Sequence, residues 1–231
     1  MKCFSILLIS TIITGCATIG QHDPATLASI DFGPEDSLRI CVLVDDEDTT
    51  HLKVDELFAA VNKEFGPYKL SVTVPWYKTW ERPGRQDHWL IEKLAEMKLP
   101  APCDRIMAIV GNTSPTETKS SGGMTVLGSV DTVTHSRGFV VWEMDGMTRL
   151  LATPEAVMVH ETYHMVGCEH NMPMKICYER INRLKTAARL NRVQGRQFFP
   201  TYSSRGQILY SREEVDIRED IAVRLQLDYP H

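Results

Sequence analysis

Residues 160–170 read HETYHMVGCEH. His160 and His164 stand four apart, a spacing that puts both on one face of a helix and lets two imidazoles aim at one point. Zinc accepts such nitrogens at about 2.0–2.1 Å. Glu161 sits beside the first of them, off the line of coordination, where a carboxylate can take a proton from water activated by the ion. Gly167 lets the chain leave the helix through a left-handed conformation, and the turn then brings His170 back as a third ligand. Three protein ligands leave a fourth position open, which marks a catalytic site rather than a closed structural one. With 8 histidines in 231 residues, a chance match to all five positions is on the order of 10⁻⁵ to 10⁻⁴.

The pattern needs a helix to carry it, and residues 154–166 supply one, with Pro154 near its first turn. The elements before it read in a clear order. Residues 38–45 (LRICVLVD) are a buried strand, and residues 50–65 place Leu52, Val54, Leu57, Phe58, Val61 and Phe65 at helical spacing before Gly66-Pro67. Residues 69–77 alternate as a strand, 87–99 form a second helix stopped by Pro100 and Pro102, and 104–111 are a third buried strand. This β-α-β-α-β order predicts a parallel sheet with right-handed crossovers. After a loop at 112–123, residues 124–131 and 138–144 are strands without an intervening helix, so one can run antiparallel along the sheet edge. Residues 175–192 read as a basic helix and 211–227 as a closing helix, capped by Ser211 with Glu214 three residues on.

The N-terminus reads as a targeting segment. Lys2 precedes the apolar stretch FSILLISTIIT, and Ile13-Thr14-Gly15-Cys16 resembles a bacterial lipobox. On that resemblance residues 1–15 are a lipoprotein signal peptide and Cys16 carries lipid, palmitate included. The chain is then tied to a membrane without a spanning helix. Ala17 rather than Asp after the cysteine favours the outer membrane. Residues 16–36, with Pro24, Gly33 and Pro34, read as a tether, and 37–231 as one catalytic domain. Cys41, Cys103, Cys168 and Cys177 remain. An even count in an exported chain suggests disulfides, with three possible pairings; 41–103 and 168–177 are favoured, against four buried free thiols.

A formal net charge of −5 gives no reason to expect a nucleic-acid partner. No internal apolar run is long enough to span a membrane. His51, His88 and His135 are isolated and read as surface or loop residues. Lys175, Arg180, Arg183, Lys185, Arg189, Arg192 and Arg196 read as a solvated helix face. Trp76, Trp80, Trp89 and Trp142 read as core or rim, and Asp45-Asp46-Glu47-Asp48 as an acidic loop without EF-hand spacing.

HETYHMVGCEH and the element order of 38–166 together resemble the metzincin clan of zinc peptidases. The resemblance implies a zincin-like α/β fold: a mainly parallel twisted sheet with an antiparallel edge strand, two crossover helices, an active-site helix and a C-terminal helix. It implies one catalytic Zn²⁺ held by His160, His164 and His170, with Glu161 as general base. It also implies that residues 122–131 hold a protein or peptide substrate in extended form. Metzincins place a methionine in a tight turn beneath the zinc. Here two positions compete, Met174 by residue type and Leu209, in residues 207–211, by its place before the closing helix. Tyr210 would then be a candidate transition-state donor, or a structural tyrosine. The cysteine after the motif is similar to archaemetzincins, whose four-cysteine zinc pattern is absent. The expected function is an exported metallopeptidase. The alternatives are an amidase acting on cell-wall peptide bonds and a catalytically silent zinc-binding lipoprotein that serves as a binding or assembly module.

Overall fold

A computed structural model of the chain describes residues 22–45, 51–82, 87–111, 126–144 and 152–225, together with Ile19. Cys16, the loop at 112–123, the start of the expected strand at 124–125 and the acidic residues 46–48 lie outside these, as do the side chains of His51 and His88.

Strand β1 (Asp36–Val44) lies between β2 (Leu70–Thr73) and β4 (Arg105–Val110), and the sheet continues through β6 (Arg137–Val141) to β5 (Gly128–Val130) at the edge. All pairs are parallel except β5 with β6. The single strand expected over 69–77 is two strands. β2 pairs with residues 36–39 of β1, and β3 (Tyr77–Thr79) pairs with residues 42–44. Pro75 lies in the break; it has no N–H to give a ladder and confines a strand to an edge or a bulge.

Side chains alternate between two layers, as a pleated strand requires. Leu38, Ile40, Val42 and Val44 of β1, with Met107 and Ile109 of β4, face one core; Cys41 and Leu43, with Ile106, Ala108 and Val110, face the other. The first core is covered by α2 (His51–Phe65) and α4 (Pro154–Met165), through residues such as Val54, Leu57, Val61, Met158 and Tyr163. The second is covered by α3 (Asp87–Ala95) and α6 (Arg212–Leu225), through Leu90, Leu94 and Val215. Cys41–Cys103 ties β1 to the start of β4, and Cys168–Cys177 ties the motif turn to α5 (Met174–Val193). Both expected pairings are therefore present.

The segment expected as a tether is, over its described part, packed on the domain. Asp23 caps a short helix, α1 (Pro24–Ser29), by accepting from the N–H of Ala25 and Thr26. Phe32 is buried in the first core. The basic helix α5 is a solvated face only in part, with Lys175 and Arg183 exposed. Lys185 is fully buried and donates to the carbonyls of Tyr68 and Lys69 at 2.7 and 2.8 Å, and Arg192 pairs with Asp36 at 2.7 Å. No helix among the described residues is long and apolar enough to cross a membrane.

Candidate metal centre

Helix α4 starts where Thr153 accepts from the N–H of Ala156, with Pro154 at its first position. It ends at Gly167, whose φ of +84° is left-handed. A β-carbon there would lie 2.5 Å from the ring of Tyr202. Both the dihedral and the contact therefore require glycine. The turn is stapled from three sides. Cys168 is bridged to Cys177. Arg180 donates to the Gly167 carbonyl and pairs with Glu169 at 3.0 Å. Arg105, wholly buried, donates from Nε to the Met165 carbonyl at 3.0 Å and to the carbonyls of Phe199 and Pro200. Burial lowers the Arg105 pKa to about 10, still far above neutrality, so a cation closes the carboxyl end of the motif helix.

The result is a convergence of three rings. The Nε2 atoms of His160, His164 and His170 form a triangle with sides of 3.0, 3.1 and 3.2 Å. Nitrogens bound tetrahedrally at about 2.0–2.1 Å to one ion stand about 3.3–3.4 Å apart, so the triangle closes round one ion with a few tenths of an ångström of adjustment. These three residues are the described group able to hold a metal. The donor chemistry agrees. His164 donates its Nδ1–H to the Cys168 carbonyl at 2.6 Å, which leaves the Nε2 lone pair free for a metal. Burial and the neighbouring rings lower His160 to about 4 and His164 to about 3, so both are neutral donors near pH 7.

Glu161 is buried, and its Oε2 has no hydrogen-bond partner among the described residues. Burial pushes its pKa up to about 8. The edge strand lies against it. A β-carbon on Gly128 would stand 2.7 Å from Glu161 Cγ and 2.8 Å from Oε1. Gly128, Ser129, His135, Glu161, His164 and His170 line one cavity of about 220 Å³, so the carboxylate, two of the histidines and the sheet edge share one space. No described strand pairs with the outer edge of β5.

The other sequence-derived candidates separate. Leu209 packs in the second core, across the sheet from α4, so the structure does not place it beneath the histidines. Met174 is buried in the first core with α4, at the start of α5. The ring that stands against the motif glycine belongs to Tyr202. Tyr210 does not line the cavity. Its backbone is held by Asn191 and by Glu214.

Two residues here were not anticipated. His135, isolated along the sequence, is 9% exposed, has a left-handed φ of +54°, bonds through Nδ1 to the Tyr202 carbonyl at 3.2 Å and lines the cavity. Asp131 fixes it in place by accepting from the backbone N–H of Thr134, His135, Ser136 and Arg137 at 2.6 to 3.1 Å. An aspartate followed by Thr, His and Ser is a turn signal of the kind an aspartate cap makes, and it was there in residues 131–136. Nothing in the sequence around Tyr202 placed its ring under Gly167.

No protein-family model matches the chain, and no curated protein does. Among solved structures, the crystal structure of an archaemetzincin from Methanopyrus kandleri is similar over 65% of this chain and 94% of its own, at 14% identity and a TM-score of 0.43. The chemistry of the cavity rests on its own residues.

Proposed function

We propose that this chain is an exported zinc-dependent metallopeptidase, held to the outer membrane by lipid on Cys16. The observation that carries the activity is the convergence of three histidine donors on one point, beside a cavity walled by a buried glutamate and an edge strand. Imidazole suits several transition metals; three histidines closing round one ion favour zinc. Bound there, zinc supplies a Lewis acid that polarises a carbonyl and makes water acidic enough to be deprotonated near neutral pH.

The residues do the rest. An extended peptide adds to the outer edge of β5 through main-chain hydrogen bonds, with Gly128 allowing its carbonyl to approach Glu161. Oε2 of Glu161, which has no partner among the described residues, accepts the proton of the attacking water and delivers it to the leaving amine. His164, locked by the Cys168 carbonyl, holds its tautomer throughout.

Digestion of casein by the purified chain tests the reading. Cleavage stops with a chelator and returns with added zinc. Chelator-insensitive cleavage, or none in a zinc-loaded protein, contradicts it. Digestion of peptidoglycan but not casein assigns the chain to cell-wall peptide bonds instead.

A further inference from the structure

The chain enters the folded domain beside the candidate metal centre. Ile19 packs against the first core, and Ile19, His22, Glu64, Ala156, His160 and Tyr163 line a second cavity of about 400 Å³ on the His160 side. The segment is pinned there. His22 Nε2 meets Glu64 Oε1 at 2.8 Å, the same oxygen accepts from Tyr163 at 2.7 Å, and the Asp23 N–H reaches Tyr178. Asp23 then starts α1, and Phe32 is buried.

That geometry limits how far the site can stand from a lipid on Cys16. A flexible tether over residues 16–36 would have a root-mean-square span of about 25 Å and a reach of about 70 Å. Only Ala17 and Thr18 separate Cys16 from Ile19, three residue steps in all. They span at most about 11 Å, and a cavity of that volume is about 9 Å across, so His160 lies within about 20 Å of the anchored residue.

Resting on the proposed lipid-anchored peptidase, we propose that its substrates are polypeptides themselves tethered to the same membrane, cut in their membrane-proximal segments. A site held within about 20 Å of the headgroups meets extended chain that rises from the bilayer, and a bond held farther out by a stiff segment lies beyond its reach. The second cavity lies between the anchor side and His160, so chain leaving the lipid surface passes it on the way to the edge strand.

The test uses the full lipidated chain in vesicles of phosphatidylethanolamine and phosphatidylglycerol. The probe is a lipid-anchored peptide carrying a casein segment that the enzyme cuts, held about 10 or about 60 Å from the headgroups by a stiff proline-rich spacer. The near bond is cut at least tenfold faster than the far one. A flexible Gly/Ser insertion of about 20 residues between Thr18 and Ile19 removes that preference and leaves the rate on free casein unchanged. Equal rates at both distances before the insertion overturn the proposal. A second readout needs no catalysis: energy transfer to acceptor lipids from a dye on Ala156→Cys, beside His160, exceeds that from a dye on Lys93→Cys, exposed on α3 across the sheet. Equal transfer overturns the placement. If the chain isolated from its own membranes carries no lipid on Cys16 yet cuts free casein, this inference falls and the peptidase reading stands. Close approach of residue 156 without any cleavage supports the placement and refutes the peptidase.

Discussion

Two glutamates are buried among the described residues, Glu161 at 5% exposure and Glu219 at 1%, and burial raises both carboxyl groups, to about 8 and about 9. Their surroundings differ. Glu219, on α6, accepts from the Thr134 hydroxyl, lies 3.8 Å from Arg137 and neighbours Asp131. It closes a network behind the loop that presents His135. Glu161 faces a cavity with an oxygen that no described residue satisfies, beneath a glycine that leaves it room. A buried polar group without a partner costs about 1–3 kcal/mol. The fold tolerates that cost at Glu161 and avoids it at Glu219. Burial alone therefore does not mark a working carboxylate; burial beside an open donor set does.

The largest expected effect breaks the working side. His164→Ala removes one corner of the nitrogen triangle, and bound zinc falls from about one equivalent to below about 0.1 by elemental analysis, with peptidase activity lost. Full zinc occupancy in that variant would mean the ion sits elsewhere. Next is Gly128→Ala, which drives a methyl into Glu161 and Val157. Casein hydrolysis falls at least tenfold, and thermal unfolding shows a loss of about 1–3 kcal/mol, the usual range for overpacking. Unchanged kinetics would separate the edge strand from Glu161.

The scaffold side responds to pH rather than in rate. Because the folded pKa of Glu219 is raised, its contribution is fully present below about 4.5 and is lost as pH rises toward about 9. The cause is burial first, then Asp131, which faces it with Arg137. Asp131 moves the other way. Burial pushes it up, but the Glu219 hydrogen bond, His135 and the backbone N–H groups outweigh this and hold it below the ordinary value, so its contribution is lost only in acid. Glu219→Gln, which keeps a side-chain acceptor for Thr134, flattens the unfolding temperature between pH 5 and 8.5 and leaves peptide hydrolysis at neutral pH within about twofold. A slope identical to that of the parent chain would remove Glu219 as its cause. The smallest effect is at His135. Asparagine tolerates the left-handed backbone there, so His135→Asn keeps fold and zinc and lowers kcat/KM by about three- to tenfold through loss of a cavity wall.

The same contrast governs what was legible in the sequence. The motif, its helix and the order of strands and helices are local patterns, set by spacing of four, by alternation and by Gly and Pro at the ends. They were readable because each element must bury one face. The Cys41–Cys103 pairing followed from two strands that could be neighbours, and Cys168–Cys177 from cysteines that bracket His170. What escaped was non-local. Pro75 divides a strand whose alternation looks continuous. Residues 24–29 carry a capped helix too short for periodicity to reveal, and Lys185 buries its ammonium where two carbonyls meet it. His135 and Tyr202 reach the site through tertiary contacts alone. Leu209 failed as the turn beneath the histidines because order along the chain does not say on which side of the sheet a residue lands.

One measurement tests the central claim most directly: zinc content and casein hydrolysis on the same sample of Glu161→Gln. The account predicts one bound zinc, as in the parent chain, with the rate reduced at least about 10²-fold. An undiminished rate with zinc in place would contradict it.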